Sequence, residues 1–313
     1  MTRGKVVALC GGVGGARLAH GLAQVIAPEQ LTAIVNVGDD FTHLGMRICP
    51  DLDTVLYTLA GRENSEAGWG RSDESWAFLE TLEQLGGDAW FRLGDRDTAL
   101  HIWRTERLRE GLRLTEATSG LAAAFGVKAR LLPATDDTIA TLCATSEGVL
   151  PFQEYFVRRR CEPTLKGLTY SGAEQAQLTP EVRTALADPH LSAVVLCPSN
   201  PYLSIEPILA IPGMREALRA ISCPRIAVSP IIGGRAVKGP LAKIMSEYGQ
   251  DVTAEAVARH YAGLIDLFVC DPADADFRMS GVALHGCDIM MRDAVGRGRL
   301  AREVLSLVSG GRG

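Results

Sequence analysis

The sequence has 313 residues, of which 47% are hydrophobic and 22% are charged, and its net charge at pH 7 is -5 with a pI near 5.7. These values are typical of a globular protein with one large or two smaller domains, and they exclude the basic surface of a nucleic-acid-binding protein. No apolar run reaches the ~18 residues of a membrane span, and the eight cysteines form no C-x-x-C pair, so we expect a cytoplasmic protein with reduced thiols.

A run of glycines follows the first predicted strand. The apolar segment KVVALC leads into this run, and an apolar-periodic segment follows it, which predicts a strand, a turn and a helix. The run consists of Gly11, Gly12, Val13, Gly14 and Gly15. A helix N-terminus carries partial positive charge and unpaired N–H groups, so it favours an anion such as phosphate. Because a tight turn alone needs fewer glycines, we predict a phosphate-binding loop.

This loop matches neither of the two common nucleotide-binding motifs. Reading from Gly12, the third glycine position of G-x-G-x-x-G is occupied by Arg17, and no G-K-[ST] follows the glycines. The sequence therefore argues against a nicotinamide cofactor and against a Walker loop.

Carboxylates gather after the second predicted strand, LTAIVNV. Asp39 and Asp40 follow it directly, at the sheet edge where ligands bind in open α/β folds. A helix is predicted from Pro50, with Asp51 and Asp53 in or before its first turn. One of these two could serve only as a helix cap, but the four acids together indicate a polar site.

Two further helices are predicted next, over residues 75–85 with Ser72 as its cap, and from Asp95 onward. The start of the second helix, in the segment WFRLGDRD, is dense in charge. Capping with local ion pairs and a polar wall of the cleft both account for these charges, and the sequence leaves the two interpretations open.

Residues 128–192 contain the strand-like segments KARLLP, TIATLCATSEG and VLPFQEYFVRR with few helices, which predicts a smaller α+β insertion. Buried strands then resume at residues 191–197 and 225–229, each followed by a polar loop and a helix. This alternation predicts an α/β fold with a Rossmann-like, doubly wound, mostly parallel sheet. The core comprises residues 1–127 and 193–308, and we expect a disordered tail over residues 309–313.

Seven motifs, in order from about residue 5 to residue 290, resemble the 2-phospho-L-lactate transferase family of deazaflavin coenzyme F-420 biosynthesis. They are CGGVGGARLAHGL, VNVGDDFTHLGMRICPDLDTVLYTLAG, GWG, WFRLGDRD, FQEYFVR, PSNPYLSIEPILAIPGMREAL and AVSPIIGGRAVKGP. The resemblance implies a Rossmann-like core with an insertion, a homodimer and dependence on Mg²⁺. It also implies a reaction in which a guanylylated phospho-acid donor gives its phospho-acid to the terminal ribityl hydroxyl of the deazaflavin FO, with release of GMP.

The resemblance also implies roles for individual residues. Asp39, Asp40 and Asp53 would supply ligands to Mg²⁺. One of these aspartates would take the proton of the attacking hydroxyl; the sequence does not choose which, and our own assignment is Asp40. Asp53 and Arg92 would bind FO, although relatives often carry Lys where this sequence has Arg92. The diphosphate and guanosine of the donor would be bound by Gly11, Gly12, Val13, Gly14, Gly15, Ser199, Asn200, Gly233, Gly234 and Lys238.

A different function remains as the alternative. A related family of sugar-nucleotide-binding regulators, linked to gluconeogenic growth, shares the glycine loop and an acidic motif after the second strand. In those proteins the acidic motif continues as a Gly/Ser-rich run, whereas this sequence continues with GDDFTHLGMRICPDLDT and also contains WFRLGDRD. These segments favour the transferase. They do not say whether the acid of the donor is lactate, enolpyruvate or glycerate.

Overall fold

A seven-stranded parallel sheet forms the centre of the protein. The structure, a computed structural model, describes residues 4–64, 70–237 and 239–310. In chain order the strands are β1 (Lys5–Cys10), β2 (Leu31–Val35), β3 (Phe41–His43), β4 (Met46–Ile48), β5 (Arg130–Pro133), β6 (Ala140–Thr145), β7 (Gly148–Pro151), β8 (Leu165–Ser171), β9 (Leu191–Leu196), β10 (Arg225–Val228), β11 (Ile231–Ile232), β12 (Arg235–Ala236), β13 (Leu267–Cys270) and β14 (Ala283–Gly286).

Helices cover this sheet and connect its strands. In chain order they are α1 (Gly12–Val25), α2 (Pro50–Leu59), α3 (Ala77–Gln84), α4 (Asp95–Arg109), α5 (Leu114–Ala124), α6 (Pro180–Leu186), α7 (Glu206–Leu209), α8 (Met214–Ala220), α9 (Leu241–Glu247), α10 (Ala254–His260) and α11 (Ala294–Gly310). None of the helices in the described ranges has the length and apolarity that crossing a membrane requires.

The order of strands in the main sheet is β14-β13-β10-β9-β1-β2-β5, and each adjacent pair is parallel. From β1 the chain winds outward through β2 to β5, and it later starts again beside β1 with β9 and winds the other way. The carboxyl ends of β1 and β9 are therefore the topological switch point, where such sheets bind ligands. The predicted Rossmann-like, mostly parallel α/β fold is confirmed.

Strand β1 lies inside the core, between β9 and β2. Its residues 6–10 are all buried, without alternation between the two faces, as expected for a parallel strand covered on both sides. On one side α1 packs against α2 and α11. Gly21 allows α1 to approach α11 closely, since a Cβ there would come 2.3 Å from the carbonyl oxygen of Arg297.

The insertion is smaller than the sequence suggested. Strands β6, β7 and β8 form a separate antiparallel sheet, but β5, from the segment KARLLP, pairs with β2 at the edge of the main sheet. The segment FQEYFVR contains a π-helical turn, Glu154–Arg158, rather than a strand. Helix α11 extends to Gly310, two residues into the segment predicted as a tail, and residues 311–313 lie outside the described residues.

Two local elements near the switch point also differ from expectation. The loop predicted between the second strand and Pro50 is a hairpin of β3 and β4. Helix α3 begins at Ala77, and Ser72 does not cap it. Instead the N–H groups of Ala77 and Phe78 donate to the Asp95 carboxylate, at the start of α4. This contact links α3 to α4. At least one charged residue of WFRLGDRD, Asp95, is therefore a helix cap, but it caps the neighbouring helix α3 and not its own helix α4.

Candidate active site

The loops after β1 and β9 are tied together at the switch point. The Gly11 N–H donates to Ser199 Oγ over 3.2 Å, and the Ser199 hydroxyl donates to the Gly11 carbonyl oxygen over 2.9 Å. Gly14 lies so close to the second loop that a Cβ would come 2.2 Å from the carbonyl oxygen of Pro198. Glycine at this position thus brings the start of α1 against the β9 loop.

Helix α1 begins inside the glycine run, at Gly12. The Gly12 N–H donates to Asp51 Oδ1 over 2.7 Å, and Asp51 Oδ2 accepts from Asn36 Nδ2 over 2.9 Å. Asp51, from the first turn of α2, therefore caps another helix, α1. The N–H groups of Val13 and Gly14 come next, and a helix offers them no acceptor of its own. This is the arrangement that binds phosphate oxygens.

A cavity of about 470 Å³ opens at these loops. Its glycine side is formed by the loops after β1, β9 and β10, with Gly12, Val13, Gly14, Ser199, Asn200 and Pro230. Its aromatic side is formed by α2, α4, the segment before α4 and the insertion, with Tyr57, Phe91, Arg92, His101, Phe152 and Phe156. Four carboxylates also line the cavity, those of Asp39, Asp51, Asp53 and Asp97.

Asp39 and Asp51 form a buried acidic pair. Burial and the charge of Asp51 raise the pKa of Asp39 well above its ordinary value, and burial raises the pKa of Asp51 to about 6. Asp39 Oδ1 is buried without a hydrogen-bond partner among the described residues. A divalent cation bound between these carboxylates would offset the cost of burying their charges, and a hard ion such as Mg²⁺ prefers oxygen ligands. The residues therefore fit Mg²⁺.

Asp40 lies behind the cavity wall. Its Oδ2 accepts from Arg47 Nη2 over 3.2 Å, and its side chain is fully buried. Burial raises the pKa of Asp40 to about 7, although the charge of Arg47 opposes this shift. Asp40 is not among the described residues that line the cavity. We therefore correct its assignment as base and metal ligand, because the turn after β2 directs Asp39 to the cavity and Asp40 to Arg47.

We expect Asp40→Asn to transfer substrate at close to the wild-type rate and to change mainly the pH dependence of stability. The folded-state pKa of Asp40 is raised from 3.8 to about 7, so its stabilising contribution is full below pH 3.8 and is lost as pH rises through 7. The Asn variant has no titrating carboxyl at this position and so avoids this loss of stability, which is at most on the order of 4 kcal/mol for three pKa units.

Urea unfolding in the presence of a chelator tests this expectation. The free energy of unfolding of Asp40→Asn, relative to wild type, should increase between about pH 4 and about pH 7 and then level off. A fall in turnover of about 100-fold or more in this variant, the size expected for loss of a metal-site residue, would return Asp40 to the active site.

Asp53 lines the cavity but already has a strong partner. Arg104 Nη1 donates to Asp53 Oδ2 over 3.1 Å, and Arg104 Nη2 donates to Asp53 Oδ1. The oxygens of Asp51 accept from the neutral Gly12 N–H and the Asn36 amide. The charge of Asp53, by contrast, is already compensated by a bidentate guanidinium, which a cation would have to displace. The geometry therefore favours the acceptor-binding role predicted for Asp53 over the predicted metal-ligand role.

The aromatic side offers flat walls to a ligand. Phe152 and Phe156 stack with their ring centroids 5.3 Å apart and an angle of 10° between their planes. Arg92, predicted to bind the acceptor, lines the cavity, and its guanidinium carbon lies 4.6 Å from the centroid of the Trp76 ring. Walls of this kind suit a planar ring system with a few polar groups.

Several predicted donor-binding residues do not reach the cavity. Gly233 and Gly234 form the turn between β11 and β12, with φ values of 55° and 71°, and the Gly233 N–H donates to Asp274 Oδ2 over 2.8 Å. The positive φ angles explain why both positions are glycines. The flanking residues Ser229 and Val237 line the cavity instead. Lys238 lies outside the described residues.

Gly15 and Asn200 have structural tasks of their own. A Cβ on Gly15 would come 2.4 Å from Ser199 Oγ, so this glycine serves close packing behind the loop and does not line the cavity. Asn200 lines the cavity, but its side-chain oxygen accepts from the N–H groups of Tyr202 and Leu203. Only its amide nitrogen is left to contact a ligand.

Sequence reasoning missed several cavity residues, among them Tyr57 and His101, and it left Asp97 open, whose place in the cavity lining agrees with the polar-wall interpretation of WFRLGDRD. Asp97 and His101 stand four residues apart on α4 and so share one face of that helix, a signal that the sequence contains. Gln153 gave no such signal. It comes from the insertion, lines the cavity and donates through Nε2 to the Asp39 carbonyl oxygen over 3.3 Å.

Comparison with known proteins relates this chain to one family. Residues 6–284 match the family described as 2-phospho-L-lactate transferase CofD. Phosphoenolpyruvate transferases of Streptomyces coelicolor and Mycobacterium ulcerans are 41% and 40% identical to the chain, over 97% of it and 98% of each relative.

The fold also has solved counterparts. Two crystal structures of a Bacillus halodurans protein, one of them described as a member of the UPF0052 family, align with TM-scores of 0.61 and 0.63. They cover 97% and 96% of this chain and 99% of their own chains, at 16% sequence identity. At that identity the likeness shows the fold alone.

Proposed function

The chain belongs to the 2-phospho-L-lactate transferase CofD family and is a transferase of coenzyme F-420 biosynthesis, and on that premise we propose its donor, acceptor and leaving group. The donor is a guanylylated diphosphate that carries enolpyruvate, the acceptor is the terminal ribityl hydroxyl of FO, and GMP is released. The name phosphoenolpyruvate transferase, borne by relatives about 40% identical, supports enolpyruvate over lactate or glycerate.

One observation carries this proposal. The start of α1 and the acidic pair of Asp39 and Asp51 face the same cavity at the topological switch point. Asp51 belongs to the acidic pair and also caps α1, so it links the two features. The helix N-terminus attracts the phosphates of a nucleotide. The carboxylates of Asp39 and Asp51 would repel these phosphates unless a cation lies between the carboxylates and the phosphates. A diphosphate held together with a divalent cation satisfies both features.

The chemistry requires positioning more than covalent work by the protein. The acceptor hydroxyl oxygen forms a bond to the phosphorus that bears enolpyruvate, the bond from that phosphorus to the GMP phosphate oxygen breaks, and the hydroxyl proton passes to solvent as GMP is released. Asp39 and Asp51 would hold Mg²⁺, which neutralises charge on the diphosphate when bound. Because phosphoryl transfer passes through a loose transition state, the chain contributes mainly by orienting the two substrates.

The two sides of the cavity divide this task. On the glycine side, the N–H groups of Val13 and Gly14 bind phosphate oxygens, and the loops after β9 and β10 enclose the nucleoside. On the aromatic side, Phe152 and Phe156 pack against the deazaflavin ring, and Asp53 and Arg92 bind polar groups of FO. The site thus brings the ribityl chain toward the diphosphate.

Incubation of the protein with FO, Mg²⁺ and a panel of guanylylated donors tests the proposal. We expect GMP and the adduct of FO, with the enolpyruvyl donor giving the highest kcat/KM. No GMP with any donor, together with tight binding of a UDP-sugar, would favour the regulator alternative instead. A preference for the lactyl or glyceryl donor would revise the identity of the acid alone.

We extend the proposal to a homodimer located in the cytoplasm, for which the sequence resemblance to the family is the support. Solution scattering on the purified protein measures the first property. We expect a mass near twice the 33.5 kDa of one chain, and a mass of one chain across the concentrations used in the activity assay would overturn the dimer.

A further inference from the structure

A buried charged network supports the aromatic side of the cavity. It is formed by Tyr57 and Asp53 on α2 and by Asp97, His101 and Arg104 on α4. The centre of the network is Arg104, whose side chain is only 1% exposed although it carries a full charge. Its two terminal nitrogens bind the two oxygens of Asp53, and Nη1 also lies 3.4 Å from the carbonyl oxygen of Arg47.

His101 joins the two carboxylates of this network. Its Nδ1 lies 3.7 Å from Asp53 Oδ2, and its Nε2 lies 3.3 Å from Asp97 Oδ2. Tyr57 completes the chain of contacts, because its hydroxyl donates to Asp97 Oδ1 over 2.5 Å. Asp53, Asp97, His101 and Tyr57 all line the cavity, whereas Arg104 does not. Arg104 therefore lies behind two cavity-lining side chains that it contacts, Asp53, which it binds through both terminal nitrogens, and His101, whose Nδ1 lies 3.4 Å from Arg104 Nη1.

Burying these charged groups costs free energy because they lose their contacts with water, so stability alone does not explain the network. A buried ion pair often contributes no more than apolar side chains of similar volume would. Although burial opposes the charge of Arg104, the Asp53 carboxylate holds the pKa of Arg104 above its ordinary value. The bidentate contact between Arg104 and the cavity-lining Asp53 indicates that Arg104 serves the orientation of that carboxylate.

We propose that Arg104 is a positioning residue that fixes the Asp53 carboxylate toward the aromatic side of the cavity, where Asp53 accepts a hydrogen bond from a hydroxyl of the acceptor substrate. This inference rests on the proposed function, since it requires a hydroxyl-bearing acceptor on that side. The bidentate contact aligns Asp53 so that its remaining lone pairs face the ligand. His101 supports the same orientation from the side of Asp97.

The variants Arg104→Met, Arg104→Lys and Asp53→Asn, with the double variant that combines Arg104→Met and Asp53→Asn, test this role. We expect Arg104→Met to lower kcat/KM for FO by on the order of 100-fold, since misplacement of a contact by about 1 Å has effects of that size. Arg104→Lys should retain part of the activity, because an ammonium keeps the charge but not the bidentate contact. Binding of GDP, measured by calorimetry, should remain as in wild type.

The double variant measures whether Arg104 acts through Asp53. If it does, Arg104→Met should cause little further loss of kcat/KM once Asp53 is replaced, so the two effects should be strongly non-additive. Because the double variant leaves no unpaired buried charge, it also provides a folded reference if Arg104→Met alone unfolds. Thermal melts of all variants establish which of them are folded.

Two results would overturn the role of Arg104. One is wild-type kcat/KM for FO in folded Arg104→Met, and the other is a double variant whose loss equals the product of the single losses or far exceeds that of Asp53→Asn. If wild type itself neither binds FO in a fluorescence titration nor releases GMP, the proposed function fails, and the network is then a structural one.

Discussion

Replacement of Asp39 by Asn is expected to lower transfer activity by about 100-fold or more at saturating Mg²⁺, a loss of the size that follows damage to a metal site. Asp39 lines the cavity beside Asp51, and its Oδ1 lacks a partner among the described residues. The amide of Asn would keep the shape of the side chain but remove the charge that a divalent cation needs. Affinity for Mn²⁺, measured by electron paramagnetic resonance, should fall together with activity.

The same substitution is expected not to lower stability in the absence of metal. Burial and the charge of Asp51 raise the pKa of Asp39, which means that the ionised carboxylate opposes folding at neutral pH. Asn removes this opposition, so the melting temperature in a chelator should be equal to or above that of wild type. Loss of activity together with a gain of stability is typical of residues retained for function.

Asp40→Asn is the matched control, since it makes the same change at the neighbouring buried carboxylate, which faces Arg47. Asp39→Asn should lose both activity and Mn²⁺ binding, and Asp40→Asn should keep both. The assignment of Asp39 fails if its variant binds Mn²⁺ and releases GMP as wild type does.

The sequence predicts the parallel sheet because buried strands, polar loops and amphipathic helices alternate along the chain. It could not place β5, since a four-residue strand at a sheet edge carries no local sign of which sheet it joins, and its pairing with β2 is a tertiary contact. The segment Glu154–Arg158 contains residues that favour strands, yet it forms a π-helical turn in which Tyr155 is buried. Tertiary packing overrides propensity there.

The acidic part of the site shows the same limit at the level of side chains. Residue spacing places Asp39 and Asp40 after β2, but only the turn, closed by a bond from the Asp40 N–H to the Val37 carbonyl oxygen, decides which carboxylate meets the cavity. Asp51 resembles a cap of its own helix and caps α1 instead. The first outcome depends on the backbone of a local turn, and the second on a contact between elements distant in sequence.

The face of α4 was within reach of sequence reasoning. Asp97, His101 and Arg104 follow a spacing of four and then three residues, so they project from the same side of one helix. Three chemically capable residues on one face, next to a predicted strand-end site, indicate a functional surface. Their partner Asp53 could not be named in advance, since the packing of α4 on α2 is a tertiary feature.

Gly14→Ala is expected to be the most damaging single-methyl change in the glycine loop. A Cβ at this position would come 2.2 Å from the carbonyl oxygen of Pro198, a backbone atom that cannot move alone. Either α1 or the β9 loop must shift, at a cost of about 1–3 kcal/mol as measured for overpacked sites. Because the shift displaces the N–H groups that bind phosphate, affinity for GDP should fall as well.

Gly167→Ala is the control for this variant, because a Cβ at Gly167, on β8, would meet nothing within 4 Å. Calorimetric titration with GDP and a thermal melt on both variants separate the two effects. Gly14→Ala should lower both the affinity for GDP and the melting temperature, and Gly167→Ala should leave the affinity unchanged. Wild-type affinity for GDP in a destabilised Gly14→Ala protein would mean that the glycine serves packing alone, and the phosphate site would then lie elsewhere in the cavity.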